Sequence, residues 1–160
     1  MRFAGSVGHT LLQALGIHMK YETNCQFQKL DFHDSPVSKI VYGNDSISIY
    51  LDFANILAEH IANPYPVAKC IENCAITFNG VIESIASVYN DETKVFEEHQ
   101  YPTEPLDQEI LEVITSVGSK GLVTYTLKGF HSTGWTEWRI TSQQFKLSWD
   151  DFSQDAWFVD

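Results

Sequence analysis

The segment "SISIYLDF", residues 46–53, places Ile47, Ile49, Leu51 and Phe53 at every second position, with Ser46, Ser48, Tyr50 and Asp52 between them. Side chains of a strand alternate between two faces, so this pattern suits a strand with one packed face and one wetted face. A helix would scatter the same residues around its circumference. Upstream, the β-branched run "VSKIVY", residues 37–42, leads into "GNDS". The two runs and the turn between them predict a β-hairpin.

The same punctuation recurs along the chain. "VAKCIENCAITFNGVIESIASVY", residues 67–89, holds one or two further strands with a turn at Asn79 and Gly80. In "GLVTYTLKGF", residues 121–130, Val123, Tyr125 and Leu127 alternate against Leu122, Thr124 and Thr126. In "TEWRITSQQFKLSWDDF" the apolar parity set by Trp138 and Ile140 slips before Phe145, Leu147 and Trp149, which predicts a bulge or bend near Ser142. One segment breaks the pattern: Leu106, Ile110, Leu111 and Ile114 recur at helical spacing, Pro105 and Asp107 suit a first turn, and Gly118 or Gly121 can end the run. The spacing predicts a helix over 105–117. The expected fold is therefore α+β and β-dominated: a curved antiparallel sheet or two-layer sandwich carrying one or two helices.

A chain of 160 residues suits one domain, read here as 19–160. Residues 1–18 are set apart: His18 before Met19 resembles a cloning scar, which makes the segment an expression leader. The competing reading is a short amphipathic helix through Val7, Leu11, Leu12 and Leu15. Ten Lys and Arg against 21 Asp and Glu give a formal charge of -11, a field that repels phosphate backbones and argues against a nucleic-acid partner. No apolar run approaches the roughly 20 residues of a membrane-spanning helix. Cys25, Cys70 and Cys74 are an odd number in a chain too large to need stapling, so we expect free thiols, small buried hydrophobes and a cytoplasmic setting. Extended geometry would put Cys70, Glu72 and Cys74 on one face.

The stretch "FHDSPV", residues 32–37, collects a histidine, an acid and a hydroxyl. Adjacent side chains of an extended chain point in opposing directions, so His33, Asp34 and Ser35 cannot form a triad with one another. Pro36 biases Ser35 toward extended backbone, and Asp34 and Ser35 suit a bend before a strand. His33 remains available as one member of a dispersed site. No zinc-ligand spacing, phosphate loop, dinucleotide fingerprint or nucleophile elbow occurs, and "WDDFSQD" lacks the ligand positions and central glycine of a calcium loop. We expect no catalytic residues, no metal and no cofactor.

What stands out is where the charge lies. Between Asp91 and Glu112 there are eight acids against Lys94 alone, and Phe96, Tyr101 and Tyr89 are interleaved with or adjoin them. Aromatics within an acidic patch supply contact energy while the charges orient encounter, so Phe96, Glu97, Glu98, Tyr101, Glu104, Asp107, Glu109 and Glu112 form the candidate partner-binding surface. A solvated face that keeps the chain soluble is the plainer account of such a run.

The segments "LDFHDSPVSKIVY", "SISIYLDF", "CAITFNGVIES" and "TEWRITSQQFKLSW" resemble small bacterial immunity-protein families of polymorphic toxin and contact-dependent growth inhibition systems, which often open with an F-H-D-S/A segment before the first core hairpin. The resemblance covers roughly residues 30–90 and 122–150, and the acidic segment at 91–120 lies outside it. It implies a protein that binds and neutralises a cognate toxin without catalysis, the toxin being a basic, nuclease-type protein. Two other classes compete. One is a small-molecule-binding module or hydrolase whose pocket lies between sheet and helix, using His33 or His131 with a nearby acid. The other is an assembly subunit that associates through Trp135, Trp138, Trp149 and Trp157, although core and rim packing is the plainer account of these tryptophans.

Overall fold

A computed structural model of the chain describes residues 19–99, 105–132 and 134–160. The leader or helix expected over 1–18 lies outside them, as do Tyr101 and Glu104. Twelve strands follow in order: β1 (Tyr21–Thr23), β2 (Leu30–Asp31), β3 (Ser35–Tyr42), β4 (Ser46–Ile56), β5 (Lys69–Asn79), β6 (Glu83–Asn90), β7 (Val95–His99), β8 (Glu109–Val117), β9 (Val123–His131), β10 (Gly134–Ser142), β11 (Gln144–Trp149) and β12 (Asp151–Asp155). Every pairing is antiparallel, in the order β1-β11-β5-β4-β3-β8-β9-β10-β6-β7, with β2 on β4 and β12 on β5.

The expected β3–β4 hairpin is present. Gly43 N–H donates to the Ser46 carbonyl at 2.8 Å, and Ile47, Ile49 and Leu51 are buried while Asp52 is exposed. Beyond Asp52 the buried parity switches to Ala54 and Ile56. Opposite it, Asn73 on β5 adopts left-handed backbone (φ 52) between buried Ile71 and buried Cys74. A one-residue kink of this kind inverts which face each strand presents, and it leaves Glu72 exposed, not facing inward with the cysteines. All three cysteines are free, with Cys25 exposed and Cys70 and Cys74 buried.

Asn79–Gly80 is a turn of another kind from the one expected. It does not fold β5 back on its successor; β6 pairs β10 while β5 pairs β11. The partner ribbon bends at the same height, because Gln143 separates β10 from β11 and its N–H meets the Asn79 and Gly80 carbonyls at 3.1 and 3.2 Å. The parity slip near Ser142 is this corner. Gly80 carries φ 65, and a β-carbon there would overlap the Gln143 side chain.

Doubled over in this way, the sheet packs its inner faces together. Phe78 of β5 meets Tyr125 of β9 with ring centroids 4.7 Å apart, and Phe27 stands edge-on to both Tyr125 and Phe145 at 4.9 Å. Buried Ile49, Leu127, Trp138, Ile140 and Leu147 complete one apolar cluster.

The helix expected over 105–117 is not formed. Leu106 sits buried in the approach to β8, and Glu109–Val117 is a strand on β9. A bulge between Ile110 and Glu112 inserts one residue, so inward-facing Ile110 and Val113 are three apart and mimic helical spacing. The density of β-branched residues (Ile110, Val113, Ile114, Thr115, Val117) was the contrary signal. No α-helix occurs among the described residues, only short 3-10 turns at Phe27–Lys29 and Ser119–Gly121. The pocket expected between sheet and helix therefore has no helix to form it. No helix among these residues is long and apolar enough to cross a membrane.

Candidate functional site

The strands β8, β9, β10, β6 and β7 lie side by side, and their inner face carries Tyr125, Leu127, Trp138, Ile140 and Ala86. The opposite face is set by register. Glu109 stands beside Phe130, and Phe130 beside Trp135; Tyr89 lies beside Phe96 at the far edge. Two residues along each strand, or three on bulged β8, Glu112, Lys128, Glu137, Ser87 and Glu98 form a second cross-strand row. The outer face thus carries a row of four aromatics flanked by a row that is mostly acidic.

The aromatic row is built from edge-to-face pairs. Phe130 and Trp135 rings are 5.1 Å apart at 86°, and Tyr89 and Phe96 are 5.3 Å apart at 64°. Such pairs contribute about 0.5–1.5 kcal/mol each beyond area burial and hold the rings in place. Trp135 nevertheless remains 36% exposed and Phe96 42%. In the second row, Lys128 Nζ sits 3.7 Å from Glu112 Oε2.

The acids picked out from the sequence are not gathered together. Residues 91–112 end one edge of this five-strand run in β7 and begin the other in β8, with β6, β10 and β9 between. At a strand spacing near 4.8 Å, Glu98 and Glu112 are separated by about 19 Å. They share the outer face with Glu109, whereas Glu97 has the other parity and accepts from Asn90 Nδ2 at 3.0 Å and Thr93 Oγ1 at 3.2 Å. Asp107 is tied to the β9–β10 turn: Oδ1 accepts from Ser132 N–H at 2.8 Å, and Oδ2 lies 3.6 Å from His131 Nε2. Sequence reasoning missed Phe130, Lys128 and Glu137, and named Trp135 only as part of an assembly surface. Their signal was an aromatic sitting in the polar parity of its own strand, where nothing in the core requires one.

A second concave region lies beside β8. Asp31, His33, Phe27, Phe32, Val113 and Trp157 are among the residues lining an open cleft of about 830 Å³. His33 and Trp157 also border a smaller cavity of about 280 Å³ with Phe53, Asn55 and Cys70. The bend read in "FHDSPV" is present: Asp34 has φ 57, and His33 N–H donates to Asp31 Oδ1 at 3.2 Å. The His33 ring donates from Nδ1 to the Leu111 carbonyl at 3.0 Å, which fixes the tautomer and leaves Nε2 facing Asp34 Oδ2 at 3.4 Å. Ser35 Oγ is buried without a hydrogen-bond partner among the described residues, so it is no nucleophile for this histidine.

The Leu111 carbonyl, aided by Asp34, Asp31 and Glu109, holds the His33 pKa above the ordinary 6.5, against a smaller opposing effect of desolvation. The fold therefore favours the imidazolium. Its stabilising contribution is present in full below the unfolded value and is lost as pH rises through the higher folded value. The exposed ring keeps that contribution small. An NMR titration of the His33 ring is expected to show a midpoint above 6.5, falling back when Asp34→Asn and Asp31→Asn are combined; a midpoint at or below 6.5 would contradict the geometry.

Among the described residues no cluster of three or more His, Cys, Asp or Glu side chains is placed to hold a metal ion. No family model matches the chain, and no curated protein matches it. Function is therefore read from these surfaces.

Proposed function

We propose that the protein is a stoichiometric binder of a basic protein, in the manner of an immunity protein that neutralises a cognate toxin, and that it binds through the outer face of β8-β9-β10-β6-β7. The observation that carries this reading is the row Phe130, Trp135, Tyr89 and Phe96, with Trp135 and Phe96 partly exposed on a face that folding leaves unpacked. Rigid aromatics lose little entropy on contact and dominate binding energy at protein interfaces. Glu98, Glu109, Glu112 and Glu137 surround them, outnumbering Lys128 and the exposed Arg139 of the same face, so the rim attracts and orients a positive surface. The acidic segment contributes at its two ends, not as a block.

The test is complex formation with the toxin domain encoded beside this chain's own gene. The wild-type chain is expected to form a one-to-one complex. Trp135→Ala combined with Phe96→Ala should weaken it about thirtyfold, roughly 2 kcal/mol. Glu98→Lys with Glu112→Lys should slow association and flatten its dependence on salt. A complex indifferent to both double variants rejects this surface.

A second reading is favoured by one observation: His33 and Asp34 are 3.4 Å apart on the wall of the smaller cavity of about 280 Å³. The pair can exchange a proton with a bound ligand, as a small-molecule module would require. Without a nucleophile bonded to His33 it supports binding better than hydrolysis.

A further inference from the structure

We propose that the open edge of β8 takes up an extended, basic segment of a partner protein as an added strand. β3 covers that edge only where Ser35 and Pro36 face Ile110 and Glu109; upstream the chain bends at His33 and Asp34, and β2 leaves to pair β4. Among the described residues no strand pairs with β8 on that side beyond Ile110.

The direction of the free groups follows from the β9 ladder. Gly118 N–H donates to the Leu122 carbonyl at 2.8 Å, and register then makes Ser116–Thr124 and Ile114–Thr126 the hydrogen-bonded pairs. The intervening residues, Val113, Thr115 and Val117, turn N–H and C=O to the open side. Sheet proteins commonly protect such an edge with proline, lysine or an inward charge. Here residues 111–117 read "LEVITSV", Thr115 is exposed, and Val117 is 79% exposed.

The surroundings specify the occupant. Side chains of an added strand alternate between two faces. On the inner side they would enter the 830 Å³ cleft, where Phe27, Leu30, Phe32, Val113 and Trp157 supply apolar wall beside Asp31 and His33. On the outer side they would lie beside Glu112, whose outward direction is fixed by its pairing with Lys128. The occupant is a segment with apolar residues at every second position and lysine or arginine between them. A second copy of this chain is disfavoured by its net charge of -11. This edge is distinct from the outer aromatic row and stands without it.

Four synthetic peptides decide the matter by calorimetry with the full chain: alternating valine and lysine, the same peptide N-methylated at alternate amides in each of the two possible phases, and alternating valine and glutamate. The first is expected to bind. N-methylation, in whichever of the two phases faces β8, should cost at least about tenfold, because it removes main-chain donors and keeps the side chains. The glutamate peptide should lose at least as much. Thr115→Pro deletes an N–H that β9 does not use and should lose binding about tenfold, while Thr115→Ala retains it. Trp135→Ala should leave peptide binding unchanged. No binding of the lysine peptide, equal binding of both N-methylated phases, or equal binding of the glutamate peptide overturns the proposal. So does a dimer in sedimentation that Thr115→Pro dissociates. Should Thr115→Pro fail to fold, the two N-methylated phases, tested on the wild-type chain, still distinguish strand addition from side-chain contact alone.

Discussion

Trp138→Ala is expected to cost about 4 kcal/mol, within the range for removing a fully buried large aromatic. Trp138 is 1% exposed at the centre of the apolar cluster, paired across to Leu127 and Ala86 and packed toward Tyr42 at 6.4 Å between centroids. Its strands β9 and β6 cannot close on the void without breaking ladder bonds, so most of the cavity would remain. The loss is a large part of the roughly 5–15 kcal/mol that holds a typical domain folded. Trp138→Phe separates packing from polarity. It keeps most of the apolar contact, losing the part of the indole that a phenyl ring does not replace together with the Nε1–H donor to Ser84 Oγ at 2.9 Å, and leaves an exposed hydroxyl that water can satisfy. It should cost about 1 kcal/mol. Urea melts of the two variants check this, and a Trp138→Ala chain as stable as wild type would refute the account of the core.

Gly129→Ala is expected to destabilise by about 3 kcal/mol, the upper end for overpacking, because the obstacle is backbone. A β-carbon at 129 would overlap the Glu109 carbonyl oxygen and lie 3.0 Å from Leu106 Cδ2. No rotamer change relieves the first contact. β8 would have to move off β9 at the bulge, carrying with it Glu109, Glu112 and the open edge. Hydrogen exchange should therefore quicken in β8 and β9 before it does in β4 and β5. Gly121→Ala is the comparison: nothing lies within 4 Å of its β-carbon, and only the φ of 73 opposes it. Its cost should be about 1 kcal/mol, confined to the turn. Equal effects at the two glycines would argue against close approach of β8 at Gly129.

These two positions also separate what was legible from what was not. Trp138 could be assigned to the core from the sequence, because it keeps strict alternation with Ile140 and polar neighbours on either side. β8 could not. The bulge after Ile110 replaced a spacing of two by a spacing of three, and periodicity alone cannot distinguish that from a helix. The same limit applies to the corner at Gly80 and Gln143: a break in each strand was visible, but whether the chain turned back or passed between halves of a sheet depends on which strand lies opposite. For the outer face, the acids were conspicuous in composition yet lie at opposite edges of five strands. The aromatics that join them across the sheet come from four strands in two separate stretches of chain.

The sequence by itself determined that much of this chain forms amphipathic strands, and which parity faces the core in β9, β10, β11 and β4 as far as Leu51, because a period of two is a local property of the backbone. Tertiary structure alone decided which strands became neighbours. That in turn settled which outward-facing residues share a row and which edge stays open, since both are fixed by pairing between residues far apart in the chain.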